Sequence, residues 1–151
     1  MAAAAKGFSG WSRQPATERA RLLDRVADLY ESRQNDLIAL LASEGGRTLA
    51  DGLAEVREAV DFCRYYACRG RLGFAAPLPL PGPTGEVNEL SLHGRGVFLC
   101  ISPWNFPLAI LCGMTIAALV AGNTVIMKPA EQSSAVAYAL YQHMLAVGFS
   151  G

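Results

Sequence analysis

The feature that most constrains the fold is a stretch without charged residues that runs from Gly96 to Met127. It is long enough to cross a membrane, because about 20 apolar residues suffice for a transmembrane helix. However, prolines, glycines and asparagines interrupt it, and its longest clean segment, Leu108 to Ala121, has only the length of a core helix. The stretch therefore predicts a buried helix between two strands, and no integral membrane span.

Apolar runs on both sides of that helix predict a parallel sheet. Val97 to Ile101 is apolar throughout, as expected for a strand buried on both faces, and Thr124 to Met127 is a second such strand. Gly122 and Asn123 tolerate the left-handed conformation that ends a helix, and Ser133-Ser134 is a candidate cap for a last helix. Strand, helix, strand and helix in this order predict a βαβα unit with a right-handed crossover.

The first part of the chain, residues 8–76, predicts packing helices. Apolar residues recur at helical spacing after Pro15, and Gly45-Gly46 ends a short second helix. A third helix, from Leu49 to Arg69, carries a single apolar stripe. Cys63 lies on this stripe, so we expect a small core residue there rather than a reactive thiol.

Residues 77–96 predict an extended arm followed by a strand. The segment from Pro77 to Gly85 is too rich in proline for a regular helix. From Glu86 to His93, side chains alternate as in a strand with one solvent-exposed face, and His93 is expected at the surface. Residues 97–151 then hold the βαβα unit.

Composition excludes several classes of function. Thirteen basic and thirteen acidic residues cancel, which gives no electrostatic reason to bind nucleic acid or an anionic membrane. The four cysteines form no C-x-x-C pair and the chain has only two histidines, so no metal site is expected. The N-terminus lacks the pattern of a secretory signal, and a reduced, cytoplasmic protein is the resulting expectation.

Polar residues directly after the two predicted parallel strands indicate a ligand site. Asn105 lies in a proline-flanked turn after the first strand, and Lys128 and Glu131 follow the second. Ligands of open parallel sheets bind beyond the carboxyl ends of the strands, so both clusters are expected at one site. Because no glycine-rich phosphate loop is present, side chains must hold the ligand. A buried amide and a lone cation suit an oxyanion and a nucleotide.

These segments closely resemble the NAD(P)-dependent aldehyde dehydrogenase superfamily. Three of them carry the resemblance: Pro103-Trp104-Asn105-Phe106-Pro107, Ala121-Gly122-Asn123-Thr124-Val125 and Lys128-Pro129-Ala130-Glu131. Finer features, in Glu55 to Phe62 and Leu92 to Val97, are similar to the L-glutamate γ-semialdehyde dehydrogenase (1-pyrroline-5-carboxylate dehydrogenase) module of bifunctional proline utilization A. The resemblance implies an α/β, aldehyde-dehydrogenase-like fold with N-terminal helices, a two-strand oligomerisation segment and the first βαβα part of a Rossmann-like sheet, forming an incomplete domain.

The resemblance also implies a role for each residue of the site. Asn105 matches the asparagine whose amide donates to the oxyanion formed when a cysteine thiolate attacks an aldehyde. Lys128 and Glu131 match residues that hold the adenosine ribose of NAD. Four more match positions along the cofactor: Ile101, Ser102, Pro103 and Trp104. The implied reaction is oxidation of L-glutamate γ-semialdehyde to glutamate in proline catabolism, by a homo-oligomer.

In the family, the nucleophilic cysteine and the general-base glutamate lie beyond the last residue of this chain, so we expect an inactive fragment. Cys112 has apolar neighbours and is not expected to replace the nucleophile. Met114 stands where this branch usually has glutamine. The alternatives are a non-catalytic interaction fragment and an aldehyde dehydrogenase of another substrate class.

Each site residue also has a purely structural interpretation. Asn105 would cap the helix that begins near Leu108. Lys128 would be an ordinary charge at a strand end, and Glu131 an acidic residue in the first turn of a helix. Trp104 would serve packing as much as it lines the cofactor.

Overall fold

The computed structural model describes residues 1–150, which form an α/β fold of helices and two small sheets. The helices are α1 (Ala2–Ser12), α2 (Ala16–Ser32), α3 (Gln34–Gly45), α4 (Leu49–Phe74), α5 (Ala109–Val120) and α6 (Ser134–Val147). The strands are β1 (Leu78–Leu80), β2 (Asn88–Leu90), β3 (Val97–Ile101) and β4 (Thr124–Lys128), and a 3-10 turn, Glu131–Ser133, precedes α6. The predicted order of packing helices, arm and βαβα unit is confirmed.

The main core lies where α2, α4 and α5 pack together. Its fully buried side chains include Leu23 and Tyr30 of α2 and Ile116 of α5. Cys63 belongs to the same core and is fully buried, as the apolar stripe of α4 predicts.

Within residues 1–150, no helix is long and apolar enough to cross a membrane.

Helix α1 was not predicted, because its alanine- and glycine-rich sequence has no apolar stripe. None of its residues is fully buried. Instead, two side-chain hydrogen bonds attach it to the βαβα unit: the Trp11 indole donates to the Leu119 carbonyl at 3.0 Å, and the Thr124 hydroxyl donates to the Ala4 carbonyl at 2.9 Å.

The two sheets differ in direction. β1 and β2 are antiparallel, with Leu78 opposite Leu90, whereas β3 and β4 are parallel, as predicted. β2 is shorter than the strand predicted from Glu86 to His93. Its partner β1 lies in the arm, where prolines lack the N–H groups that a longer ladder requires.

The prediction that β3 and β4 are both buried strands is wrong for residues 1–150, since no residue of β4 is more than partly buried. Only Cys100 is buried, against Leu111 of α5 and Ala137 of α6. Leu99 and Ile101 are each 59% exposed. Helices α5 and α6 pack against β3 at Cys100 alone.

The turn between α5 and β4 depends on Gly122 and Asn123 for different reasons. Gly122 has φ +89°, the left-handed conformation expected of it. Asn123 does not adopt this conformation. Its buried side chain instead accepts hydrogen bonds from the Arg95 and Gly96 amides at 2.5 and 3.1 Å and donates to the Ala118 carbonyl at 3.2 Å. It thereby ties the end of α5 to the start of β3.

Candidate functional site

The parallel pairing of β3 and β4 brings the two polar clusters to one edge of the sheet. Ile101 and Lys128 are register partners, and the Ser102 amide donates to the Lys128 carbonyl at 3.1 Å. The turn that carries Asn105 and the segment that carries Glu131 therefore leave the sheet side by side. We call this region, residues 101–105 and 128–131, the carboxyl edge.

Asn105 is exposed, so the prediction of a buried amide is wrong. Its side chain has no hydrogen-bond partner among the described residues, although Arg47 lies over the ring of the next residue, Phe106. The alternative role of Asn105 as a helix cap is also wrong, because α5 has no side-chain cap from the turn. The amide is therefore free to donate to a ligand oxygen.

The first amides of α5 are held by Glu55, a residue of α4. Its Oε1 accepts from the Leu108 amide at 2.8 Å and from the Ala109 amide at 3.3 Å, and Arg47 Nε lies 3.4 Å from its Oε2. Burial raises the pKa of Glu55, although these two amides and Arg47 lower it in part. In the sequence, Glu55 stands next to Val56 on the apolar stripe of α4. A carboxylate at such a position indicates a buried acceptor, but the pattern of the stripe alone does not single it out.

Lys128 and Glu131 are both exposed beyond the end of β4. Within residues 1–150, neither of them forms a salt bridge. Glu131 begins the 3-10 turn before α6. A free ammonium and a free carboxylate are thus available at this edge to a ligand with hydroxyl groups.

The remaining predicted residues of the edge differ in exposure. Ser102 is buried, and its hydroxyl has no hydrogen-bond partner among the described residues. Trp104 is 60% exposed, so the interpretation that it serves packing is wrong for residues 1–150. Ile101 and Pro103 are exposed as well. Apolar surface and one unsatisfied hydroxyl therefore lie beside the free polar groups.

Three of the four cysteines are buried, and they lie in the cores: Cys63, Cys100 and Cys112. The sulfur atoms of Cys63 and Cys112 are 3.8 Å apart, and this contact together with burial raises the pKa of Cys63. Cys68 is exposed on α4. Cys112 is fully enclosed, which agrees with the expectation that it is unreactive.

Within residues 1–150, no cluster of side chains could hold a metal ion.

Met114 is partly buried against the small cluster of Cys100, Leu111 and Ala137. Nothing in the structure explains a methionine rather than a glutamine at this position.

A parallel strand pair joined by a buried helix, with polar groups beyond its carboxyl end, is typical of α/β proteins that bind nucleotides. Residues 1–150 match the sequence profile of the Aldehyde dehydrogenase family, and the chain belongs to this family. The family and the fold expected from the sequence are thereby confirmed.

Two curated relatives illustrate the similarity in sequence. The bifunctional protein PutA of Escherichia coli (strain K12) is 46% identical over 127 residues, which cover 84% of this chain and 9% of that protein. The 1-pyrroline-5-carboxylate dehydrogenase of Anoxybacillus flavithermus is 41% identical over 138 residues, or 91% of this chain and 27% of that enzyme. The chain thus spans less than a third of the length of either relative.

Solved structures of the same two kinds of protein are similar to this chain in fold. A variant of Bradyrhizobium japonicum proline utilization A superposes with a TM-score of 0.96 at 55% identity, over 98% of this chain and 15% of that one. The 1-pyrroline-5-carboxylate dehydrogenase from Thermus with bound NAD gives a TM-score of 0.92 at 38% identity, over 97% of this chain and 28% of that one.

Proposed function

We propose that this chain supplies the cofactor-binding and oxyanion-binding side of an enzyme that oxidises L-glutamate γ-semialdehyde to L-glutamate with NAD in proline catabolism. The observation that carries the proposal is the pairing of Ile101 with Lys128, which brings both polar clusters to the carboxyl edge. The similarity to PutA and to 1-pyrroline-5-carboxylate dehydrogenases supports this substrate over those of other aldehyde dehydrogenases.

The carboxyl edge has the groups that a dinucleotide needs. In the proposal, Lys128 donates to the hydroxyls of the adenosine ribose, and Glu131 accepts from them. Four residues line the cofactor: Ile101, Ser102, Pro103 and Trp104. The exposed Trp104 ring and the exposed side chains of Ile101 and Pro103 support this fit. NAD, when bound, accepts the hydride that leaves the aldehyde carbon.

Asn105 has the role of oxyanion donor in the proposal. Its exposed amide donates to the aldehyde oxygen as that oxygen gains negative charge, and one such donor contributes about 3 kcal/mol. In the proposal the attacking thiolate comes from outside residues 1–150, since three cysteines lie in the cores and the exposed Cys68 lies on α4, outside the carboxyl edge.

The same proposal gives a part to each segment. Residues 8–76 form the packing helices, residues 77–96 the arm and oligomerisation strand, and residues 97–151 the first half of the NAD-binding sheet. Exposed leucines on β1 and β2 support pairing with further copies: Leu78, Leu80 and Leu90. We expect a homo-oligomeric, cytoplasmic enzyme.

A segment exchange tests whether the chain is compatible with the rest of an enzyme that acts on this substrate. The chain replaces the matching segment of Bradyrhizobium japonicum proline utilization A, and NADH formation is followed with L-glutamate γ-semialdehyde and with acetaldehyde. We expect the hybrid to prefer L-glutamate γ-semialdehyde. A hybrid that folds and oxidises acetaldehyde better would instead support an aldehyde dehydrogenase of another substrate class.

In the same hybrid, Asn105→Ala should lower kcat about 100-fold to 1,000-fold, because the developing oxyanion loses its side-chain donor. Asn35→Ala is the matched control, because Asn35 is an exposed residue of α3. An Asn105→Ala hybrid with unchanged kcat would remove this residue from the proposed mechanism.

A second candidate is a non-catalytic interaction module that pairs with other subunits. Exposed apolar side chains of β3 favour it: Val97, Leu99 and Ile101 on one face and Phe98 on the other are all accessible within residues 1–150. Size-exclusion chromatography of the chain separates the two candidates, because a monomer that binds NADH would leave the interaction module without support.

A further inference from the structure

We infer that Glu55 is the positioning residue of the Asn105 turn, acting through the backbone that follows it. The inference rests on the proposed function for its catalytic consequence. Glu55 Oε1 accepts from two successive amides, those of Leu108 and Ala109, at 2.8 and 3.3 Å. These amides lie three and four residues after Asn105, at the point where the turn enters α5.

The burial of Glu55 indicates that it does more than fill space. The residue is 1% exposed, and its neighbours on the buried face of α4, Val56 and Ala59, are apolar. Burying a carboxylate costs several kcal/mol before its partners are counted, so packing alone would favour an apolar residue. What a carboxylate adds at this position is an acceptor for the first amides of α5, which otherwise have none.

Arg47 holds the same turn from a second direction. Its Nε lies 3.4 Å from Glu55 Oε2, and its guanidinium carbon lies 4.5 Å from the centre of the Phe106 ring. Phe106 directly follows Asn105. Arg47 therefore contacts the turn at Phe106, and Glu55 binds it at Leu108. Both attachments depend on the Glu55 carboxylate, because Arg47 pairs with it.

Helix α4 gives Glu55 a fixed position. It spans 26 residues and packs closely on α5. A Cβ atom added to Gly113 of α5 would lie 2.9 Å from Phe62 Cδ2 of α4, so the two helices approach each other without space between them. The carboxylate thus transmits the position of a rigid helix to the loop that presents Asn105 and Trp104.

Two conservative variants of the 151-residue chain test the inference by amide hydrogen exchange. Glu55→Asp keeps the charge but withdraws the oxygens by about 1.5 Å, the length of one carbon–carbon bond. Glu55→Gln keeps an oxygen in place without the charge. We expect Glu55→Asp to speed exchange at Leu108 and Ala109 by about 10-fold to 100-fold, and Glu55→Gln to restore most of the protection.

A second readout reports on the turn itself. With Trp11→Phe as background, Trp104 is the only tryptophan, and its fluorescence anisotropy should fall in Glu55→Asp and recover in Glu55→Gln. Asp61→Asn is the matched control, because Asp61 is an exposed carboxylate on the same helix. It should change neither readout.

Two results would overturn the inference. One is unchanged exchange and anisotropy in Glu55→Asp. The other is an increase in exchange that is equally large at Leu23 and Val26 in α2, since that would mean general loss of stability rather than release of the turn. Neither readout requires NAD, so a chain that fails to bind NADH would contradict the proposed function and leave this test intact.

Discussion

At the scale of single residues, Glu55 carries an electrostatic cost that its partners offset only in part. Burial disfavours its charged form, while the Leu108 and Ala109 amides and Arg47 favour it. Burial has the larger effect, because the pKa of the folded protein is raised above the ordinary value. The folded chain therefore binds a proton at Glu55 more readily than the unfolded chain does.

This direction fixes how stability depends on pH. A raised folded pKa gives a contribution that is fully present below the unfolded pKa, about 4.3, and is lost as pH rises through the folded pKa. We predict that the free energy of unfolding of the wild type, relative to Glu55→Gln, falls as the pH rises above the unfolded pKa and through the folded pKa. Urea unfolding of the wild type and of Glu55→Gln at each pH measures this difference in free energy. Asp61→Asn is the control for loss of an exposed carboxylate. A difference that rises with pH would contradict the assigned direction.

At the scale of elements, two helices of the βαβα unit receive their N-terminal acceptors from glutamates far away in sequence. For α6 the acceptor is Glu44 of α3, whose two carboxylate oxygens accept from the Ala135 and Val136 amides at 2.7 and 2.8 Å. The side chain of Ser133 makes no cap hydrogen bond, so the prediction that it caps α6 is wrong. The described helices α3 and α6 are therefore joined at this point.

Replacing Glu44 tests this assignment. Glu44→Ala should lower the free energy of unfolding by about 1 kcal/mol, the usual value of a lost N-terminal cap. Ser133→Ala should have a smaller effect, because its hydroxyl makes only a long contact of 3.5 Å with the Ala130 carbonyl. Urea unfolding of both variants compares them, and a larger loss for Ser133→Ala would restore the local cap.

The two caps show what the sequence can and cannot predict. Helical periodicity, glycine positions and apolar runs are local, and they predict α2 to α6 and the parallel pair β3–β4. Ser133 and Asn105 are the local candidates for caps, but the true acceptors lie 91 and 53 residues away from the amides they bind. A partner so distant in sequence becomes visible only once the helices are packed.

At the scale of the whole molecule, the sequence predicts where the candidate site lies but not how exposed its residues are. The rule that ligands bind beyond parallel strands correctly brings Asn105 and Lys128 to one edge. Exposure could not be predicted, because it depends on which surfaces other parts of a protein cover. For that reason Asn105, Trp104 and most of β3 are more accessible within residues 1–150 than their sequence suggests.

The exposed face of β3 predicts self-association. Leu99 is 59% exposed beside other apolar side chains of the strand, whereas Leu72, 70% exposed, lies on α4 outside the sheet. Leu99→Lys should therefore shift the chain toward monomer by light scattering, and the matched control Leu72→Lys should shift it less. Equal effects of the two variants would mean that association does not involve the sheet.

The unequal exposure of the four cysteines has a practical consequence. Cys63, Cys100 and Cys112 are enclosed, whereas Cys68 faces solvent on α4. A maleimide dye added to the native protein should therefore attach at Cys68 without any prior mutagenesis. Because α4 also carries Glu55, a dye at Cys68 that accepts resonance energy from Trp104, in the Trp11→Phe background, could follow the motion of the turn relative to this helix.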